Sequence, residues 1–274
     1  VGVATQAYLA DWWRGAVKML AFDVIFILVS VSGGLWMSRA WRALEQRTAD
    51  LARSNADLEQ FAYVASHDLQ TPLRNIASYA QLLSRRYHGR IDRDADTFIG
   101  FIVDGAKQMA RMITDILDYA RVSTVSCDLV PVEVGPLVER VLARFEDGIA
   151  SSGADIRVGT MPTVMGEPAQ VGSLFQNLIE NALKYREAER PPRVEISAVP
   201  DGDGWWRFTI ADNGIGIDPA YHDKIFVIFQ RLDPLRFPEG TGIGLALCRR
   251  IVQRLGGTID LRSAPGMGTE VTFT

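Results

Sequence analysis

Ser66-His67-Asp68-Leu69-Gln70-Thr71-Pro72 places an imidazole directly before a carboxylate. Three polar or glycine-rich segments follow much later in the chain: Asn177-Leu178-Ile179-Glu180-Asn181-Ala182-Leu183-Lys184, Asp212-Asn213-Gly214-Ile215-Gly216 and Gly240-Thr241-Gly242-Ile243-Gly244. A neutral imidazole attacks through one ring nitrogen while the other holds the proton, so a neighbouring carboxylate can orient the ring and take that proton. Asn177, Asn181 and Lys184 fall at i, i+4 and i+7, one face of a helix. Amide oxygens are hard ligands suited to Mg²⁺, Asn181 foremost here, and Lys184 supplies a charge for phosphate. A carboxylate at a strand end, Asp212, can accept the exocyclic amine of adenine, with Gly214 and Gly216 letting the backbone approach the base. The Gly240–Gly244 turn, opening a helix, offers backbone amides and a dipole to phosphates. No Gly-Lys-Ser/Thr follows it and no Rossmann spacing is present, so it is neither a P-loop nor a dinucleotide fingerprint. Together the segments describe a nucleotide pocket downstream of a nucleophilic histidine.

The order and spacing of these four segments resemble the sensor histidine kinases of bacterial two-component systems, over roughly residues 50–274. The resemblance implies ATP-dependent phosphorylation of His67, transfer to an aspartate of a cytoplasmic response regulator, and a homodimer. It implies that Asp68 orients the ring and accepts its proton, although this family more often has Glu there. Thr71 matches the position that aims water for dephosphorylating the regulator. Lys224-Ile225-Phe226-Val227-Ile228-Phe229-Gln230-Arg231 looks like the family's phenylalanine-rich segment at the start of the lid over ATP, with Arg231 for phosphate contact. The ATP-binding set carried over is Asn177, Asn181, Lys184, Tyr185, Asp212, Gly214, Gly216, Phe226, Phe229, Arg231, Gly240, Thr241, Gly242, Gly244 and Leu245. The fold implied is the Bergerat type shared with gyrase, Hsp90 and MutL-type ATPases. His88 and His222 lack this context and read as surface or packing residues.

These residues need elements to aim them. From Trp41 to Ser66 there is no Gly or Pro, and Leu44, Leu51, Leu58 and Ala65 recur every seven residues. Trp41, Thr48, Asn55 and Ala62 fill the second seam position, which reads as a parallel coiled coil with Asn55 fixing register. Extending the heptad puts His67 on the outer face. Pro72 removes a helix hydrogen bond and invites a bend. The helix resumes through Tyr79, Leu82 and Leu83 to a polar turn at 88–94, and a second amphipathic helix runs from about Ala95 to Val122. Two helices with one apolar side each make half of a four-helix bundle that dimerisation completes. Beyond residue 128 the pattern gives a helix near Val134–Leu142 and a strand near Asp155–Val158. A helix follows from about Pro168 to Arg186, then strands at Val194–Val199 and Trp205–Ala211. A helix over Thr241–Leu255 and strands near Thr258–Arg262 and Thr269–Thr274 complete it. Helices on one face of a mixed sheet would bury the core.

Residues 17–37 form an apolar run of roughly 30 Å as a helix, about the bilayer hydrocarbon thickness. Its Val, Leu, Ile and Phe residues outweigh Asp23, Lys18 lies near an end, and Trp12, Trp13 and Trp36 sit where interfacial aromatics are expected. Arg39, Arg42, Arg47 and Arg53 follow it, so the C-terminal side is expected in the cytoplasm and the chain at the inner membrane. The start at Val1 and the strand-like end point to a piece of a longer protein. A formal charge of −4 gives no basic footprint for nucleic acid. Cys127 and Cys248 are far apart, in no ligand spacing, and read as reduced thiols. The expectation is an α+β chain. An N-terminal transmembrane segment (1–40) leads to a coiled coil (41–66) and a dimeric helical-hairpin domain (55–122). An α/β-sandwich ATP-binding domain (128–274) completes it. The complete set of pocket residues argues against a membrane receptor that binds nucleotide only to scaffold, and a conformational ATPase of the gyrase or Hsp90 sort shares the pocket but leaves the Ser66–Pro72 segment unexplained.

Overall fold

A computed structural model describes residues 69–274, apart from 125–127, 188, 203, 234, 235, 238 and 239, with scattered positions between 13 and 46. The chain divides into two units, Val1–Leu58 and Glu59–Thr274.

In the first unit residues 30–38 are helical, and Trp41 Nε1 donates to Glu45 Oε1 (2.9 Å), one turn on. The expected transmembrane helix finds no support among the described residues, where no helix is long and apolar enough to cross a membrane. Leu44, Leu51, Asn55, Leu58 and Ala65, which define the coiled-coil seam, lie outside the described residues, as do His67 and Asp68.

The second unit opens with helix α1 (residues 69–87), which runs through Pro72 without interruption. Its turn is built by carboxylates. Asp92 Oδ1 accepts from Ala95 N (2.7 Å) at the start of the next helix. Asp96 accepts from the amide of Gly89 (2.9 and 3.1 Å), which has a left-handed φ of 70°. Helix α2, Arg93–Thr124, follows. Ile76, Tyr79, Leu82 and Leu83 on α1 and Phe98, Phe101, Ile102 and Met109 on α2 are exposed. Such a row of large apolar side chains marks a face that a partner element covers.

Next come β1 (Val130–Glu133), α3 (Val134–Ala143), α4 (Glu146–Ser152), β2 (Asp155–Val158), β3 (Thr163–Gly166) and α5 (Pro168–Lys184). They are followed by β4 (Arg193–Pro200), β5 (Trp206–Asp212), α6 (Gly244–Arg254), β6 (Ile259–Ser263) and β7 (Thr269–Phe273). The sheet has the order β2-β4-β5-β7-β6, with β2 parallel to β4 and the other pairs antiparallel. This is the expected mixed sheet. Alternate residues Val194, Ile196, Phe208, Ile210, Val271 and Phe273 are buried with Leu178, Ile179, Ile251 and Val138 from the helices in one apolar core. Phe175 of α5 meets Phe208 and Phe273 edge-on at 5.7 Å, which fixes the helix over the sheet.

Two differences from the expected elements have plain causes. The last helix begins at Gly244, not Thr241, because Gly242 takes φ 75°, outside the right-handed helical region. The two-stranded β1–β3 pair and α4 were not expected. Pro131 within β1 and Gly166 at the end of β3 are residues that read as loop rather than strand.

Candidate functional site

Helix α5 carries the polar face. Its N-terminus is capped by Glu167, whose carboxylate accepts from Ala169 N (3.2 Å) and Gln170 N (2.8 Å), with Pro168 at the first position. One side of α5 packs into the core through Leu174, Leu178 and Ala182. The other side, with Asn177, Asn181 and Lys184, lines a cavity of about 950 Å³. Tyr185, Asp212, Gly216, Arg231, Gly240, Thr241, Gly242, Gly244 and Leu245 line the same cavity. Gly214, Phe226 and Phe229 do not.

Within this set the two asparagines differ. Asn177 Nδ2 donates to the Ser173 carbonyl (2.8 Å), and a side chain at Gly244 would come within 2.6 Å of its Oδ1. Asn177 thus fixes how closely α6 approaches α5. Asn181 is partly buried, and its carboxamide takes no hydrogen-bond partner among the described residues. Its oxygen fits a hard cation, and no cluster of three acidic or imidazole groups exists among the described residues to compete for one.

Asp212 ends β5. Its Oδ1 accepts from Gly214 N (2.8 Å) and Thr269 N (3.1 Å), while Oδ2 has no hydrogen bond among the described residues. Burial pushes its carboxyl up from 3.8 to about 6, against the pull of the two amides and of Arg190. A poised acceptor oxygen is therefore held rigidly at the cavity wall. The glycines around it also meet other protein backbone closely. A Cβ at Gly214 would lie 2.3 Å from the Tyr185 carbonyl, and one at Gly216, at φ 69°, would lie 1.9 Å from the Ala264 carbonyl. They admit other protein backbone at these points, and so set the loop in which Asp212 sits. Asn213 is a structural lock, with Oδ1 accepting from Arg193 N (2.7 Å) and Nδ2 donating to Pro191 O (3.0 Å).

The cationic side is compact. A Cβ on Gly240 would be 3.0 Å from Lys184 Nζ, 3.2 Å from the Tyr185 hydroxyl and 3.9 Å from Arg231 Nε. Arg231 donates to the Phe237 carbonyl (2.8 Å), and the Phe237 ring meets Tyr185 edge-on at 4.9 Å. Arg236 pairs with Glu187 (3.5 Å). The segment leading to Gly240 is thus tied across the cavity rim. Phe226 packs against the core under the Arg249 guanidinium (4.8 Å). Phe229 is exposed and holds a φ of 64°, the sole positive value outside glycine among the described residues, at the start of the tied segment.

A set of charged residues on α2 went unnoticed in the sequence. Arg111, Asp115 and Asp118 line this cavity, and Asp115 Oδ2 accepts from Thr241 Oγ1 at 2.5 Å. Burial raises the Asp115 carboxyl, and Asp118 adds to the rise. The Thr241 bond and Arg111 oppose it. Charged positions on a helix read as solvated, so no sequence signal marks them. Thr71 on α1 is exposed and lies outside the cavity. His222 faces the Ile217 carbonyl (3.3 Å), His88 sits beside Asp96 (3.5 Å), and Cys248 is buried, each as its bland reading had it.

Residues 57–124 match the His Kinase A (phospho-acceptor) domain, and residues 166–274 match the histidine kinase-, DNA gyrase B- and HSP90-like ATPase family. The chain belongs to the two-component sensor histidine kinases. This sensor kinase sequence is 45% identical over 231 residues to the phytochrome-like protein Cph1 of Synechocystis sp., covering 84% of the chain and 31% of that protein. It is 46% identical to cyanobacterial phytochrome A of Nostoc sp., covering 84% of the chain and 30% of that protein. Adaptive-response sensory kinase SasA of Synechococcus sp. is 32% identical, over 88% of the chain and 65% of that protein. The chain thus spans under a third of the two phytochromes' length. Full-length ShkA in complex with AMPPNP has a similar fold (TM-score 0.62, 24% identity, 78% of this chain and 45% of that one). So does histidine kinase AdeS of Acinetobacter baumannii (TM-score 0.53, 22% identity, 76% of this chain and 95% of that one).

Proposed function

We propose that the chain is the transmitter part of an ATP-dependent protein histidine kinase, with ATP in the α5–β5–α6 cavity and His67 as phosphoacceptor. The observation that carries this reading is Asp212. Its Oδ1 is held by two amides and its Oδ2 is left to accept the adenine amine, with Asn181, Lys184 and Arg231 on the same cavity. His67 attacks the γ-phosphorus through one ring nitrogen, and the bond to the bridging oxygen of ADP breaks. Asp68 takes the proton from the other ring nitrogen. Lys184 and Arg231 offset charge on the phosphates, the positioning and neutralisation on which phosphoryl transfer depends. Asn181 would hold Mg²⁺, which supplies charge neutralisation between the phosphates.

The dimerisation and phosphotransfer domain is assigned to 55–122 and the catalytic domain to 128–274. The exposed apolar rows on α1 and α2 support a homodimer built as a four-helix bundle. His67 then passes its phosphoryl group to an aspartate of a cytoplasmic response regulator, and Thr71 aims the water that hydrolyses that aspartyl phosphate to free aspartate and inorganic phosphate. The location we propose is the inner membrane with the kinase domains in the cytoplasm, on the apolar run 17–37 of the sequence and the arginines after it. Incubating the chain with labelled ATP tests the core of this reading. The label should be acid-labile and base-stable, and His67→Gln should lose it while binding ATP normally. Full labelling of His67→Gln would overturn the assignment.

A further inference from the structure

One wall of the ATP cavity comes from the helical hairpin, not from the ATPase-type domain. Asp115, Tyr119 and Val122 lie at i, i+4 and i+7 on α2, on one face. Val122 is 4% exposed and belongs to the same apolar core as the residues of α5 and α6. The Tyr119 ring lies 4.2 Å from the Arg250 guanidinium of α6. Asp115 accepts the Thr241 hydroxyl at 2.5 Å. Thr241 stands between Gly240 and Gly242, in the turn that leads into α6, within the cluster that Lys184 and Arg231 form around Gly240. The contact to α2 therefore anchors at three points, and one of them places a carboxylate in the phosphate end of the cavity.

We propose that Asp115 stands in for a nucleotide phosphate at the Thr241 turn, so that the α2-docked arrangement and bound ATP exclude one another. The inference rests on the reading of the cavity as the ATP site. A triphosphate brought to this turn meets a carboxylate already short of water, with Asp118 one turn further on, and like charges at this range repel strongly. The Thr241 hydroxyl can donate to one acceptor at a time. Arriving phosphates must therefore displace α2, and a docked α2 weakens ATP. By reciprocity the two effects are equal in size.

The test compares the full-length chain with Asp115→Asn and Tyr119→Ala in calorimetric titrations with AMP-PNP and with adenosine. Asn at 115 keeps an acceptor for Thr241 and removes the charge. Alanine at 119 loosens docking without touching the turn. AMP-PNP should bind about tenfold tighter to Asp115→Asn and several-fold tighter to Tyr119→Ala, within the usual span of coupling between sites. Adenosine, which lacks phosphates, should bind wild type and Asp115→Asn alike. Hydrogen exchange in residues 111–122 of the wild type should rise when AMP-PNP is added and stay unchanged with adenosine. Equal AMP-PNP affinities across the three proteins, with unchanged exchange in 111–122, would overturn the proposal while leaving the ATP site intact. Failure of AMP-PNP and adenosine to bind any of them would overturn both.

Discussion

Replacing Asp212 by Asn should lower ATP affinity and raise stability at the same time. The carboxylate's Oδ1 is satisfied by the amides of Gly214 and Thr269, and an Asn oxygen can keep both bonds. Oδ2 becomes an NH₂ that faces the adenine amine, donor against donor. Losing a hydrogen bond to a charged group costs about 1.5–3 kcal/mol, which is roughly a 10- to 150-fold rise in Kd. GTP carries a carbonyl where adenine has the amine, so the variant's ATP-to-GTP preference should fall further than its ATP affinity alone. The stability effect follows from burial. The carboxyl is pushed up from 3.8 to about 6, so the folded protein binds this proton more tightly than the unfolded chain does. The resulting stabilisation is complete below pH 3.8 and is lost as pH rises through 6. At pH 7.5 the wild type carries an ionised, partly buried group at a cost of about 3 kcal/mol at most. Asn escapes that cost. The variant should therefore melt several degrees higher at pH 7.5, with the advantage vanishing near pH 4. The same titration should weaken ATP binding by wild type about tenfold between pH 7.5 and pH 5 as the acceptor oxygen is protonated. Calorimetry at two pH values with parallel melting curves decides the matter. Wild-type ATP affinity in the variant would refute the adenine contact, and a variant that loses affinity while melting lower would show a folding defect instead.

Asn181→Ala should cut autophosphorylation at saturating ATP by about tenfold or more, the scale seen when a group that supports a metal is removed. A rate equal to wild type across a Mg²⁺ titration would remove Asn181 from metal binding. Gly216→Ala forces a side chain into φ 69° and into the Ala264 carbonyl, and should cost about 3 kcal/mol or more. That is a fall in melting temperature of roughly 6–12 °C for a unit of this size, and an unchanged melt would mean the loop relaxes freely. Thr71→Ala should abolish dephosphorylation of the partner regulator while autophosphorylation continues. Because Thr71 is exposed, stability should move by no more than about 0.5 kcal/mol, and retained phosphatase activity would exclude the hydroxyl.

Much of this molecule was legible because its signals are local. The apolar stripes of α1 and α2 and the i, i+4, i+7 face of α5 need only a helical period. The position of Asp212 at the end of β5 needs only alternation and a following glycine. Such patterns are set by neighbours within seven residues, and the sequence carries them in full. What the tertiary structure decided are properties that depend on distant chain. Whether Gly214 and Gly216 face a ligand or other backbone turned on Tyr185 and Ala264, to which they pack. Asn177 and Asn181 look alike on one helix face, yet the close approach of Gly244 makes the first a spacer and leaves the second free for a ligand. Asp115 reads as one more acidic residue on a solvated helix until folding brings Thr241, 126 residues away, within 2.5 Å. The ionisation of Asp115 and Asp212 is likewise invisible in the sequence. Desolvation comes from everything that packs around a carboxyl, and that exists only once the chain has closed around it.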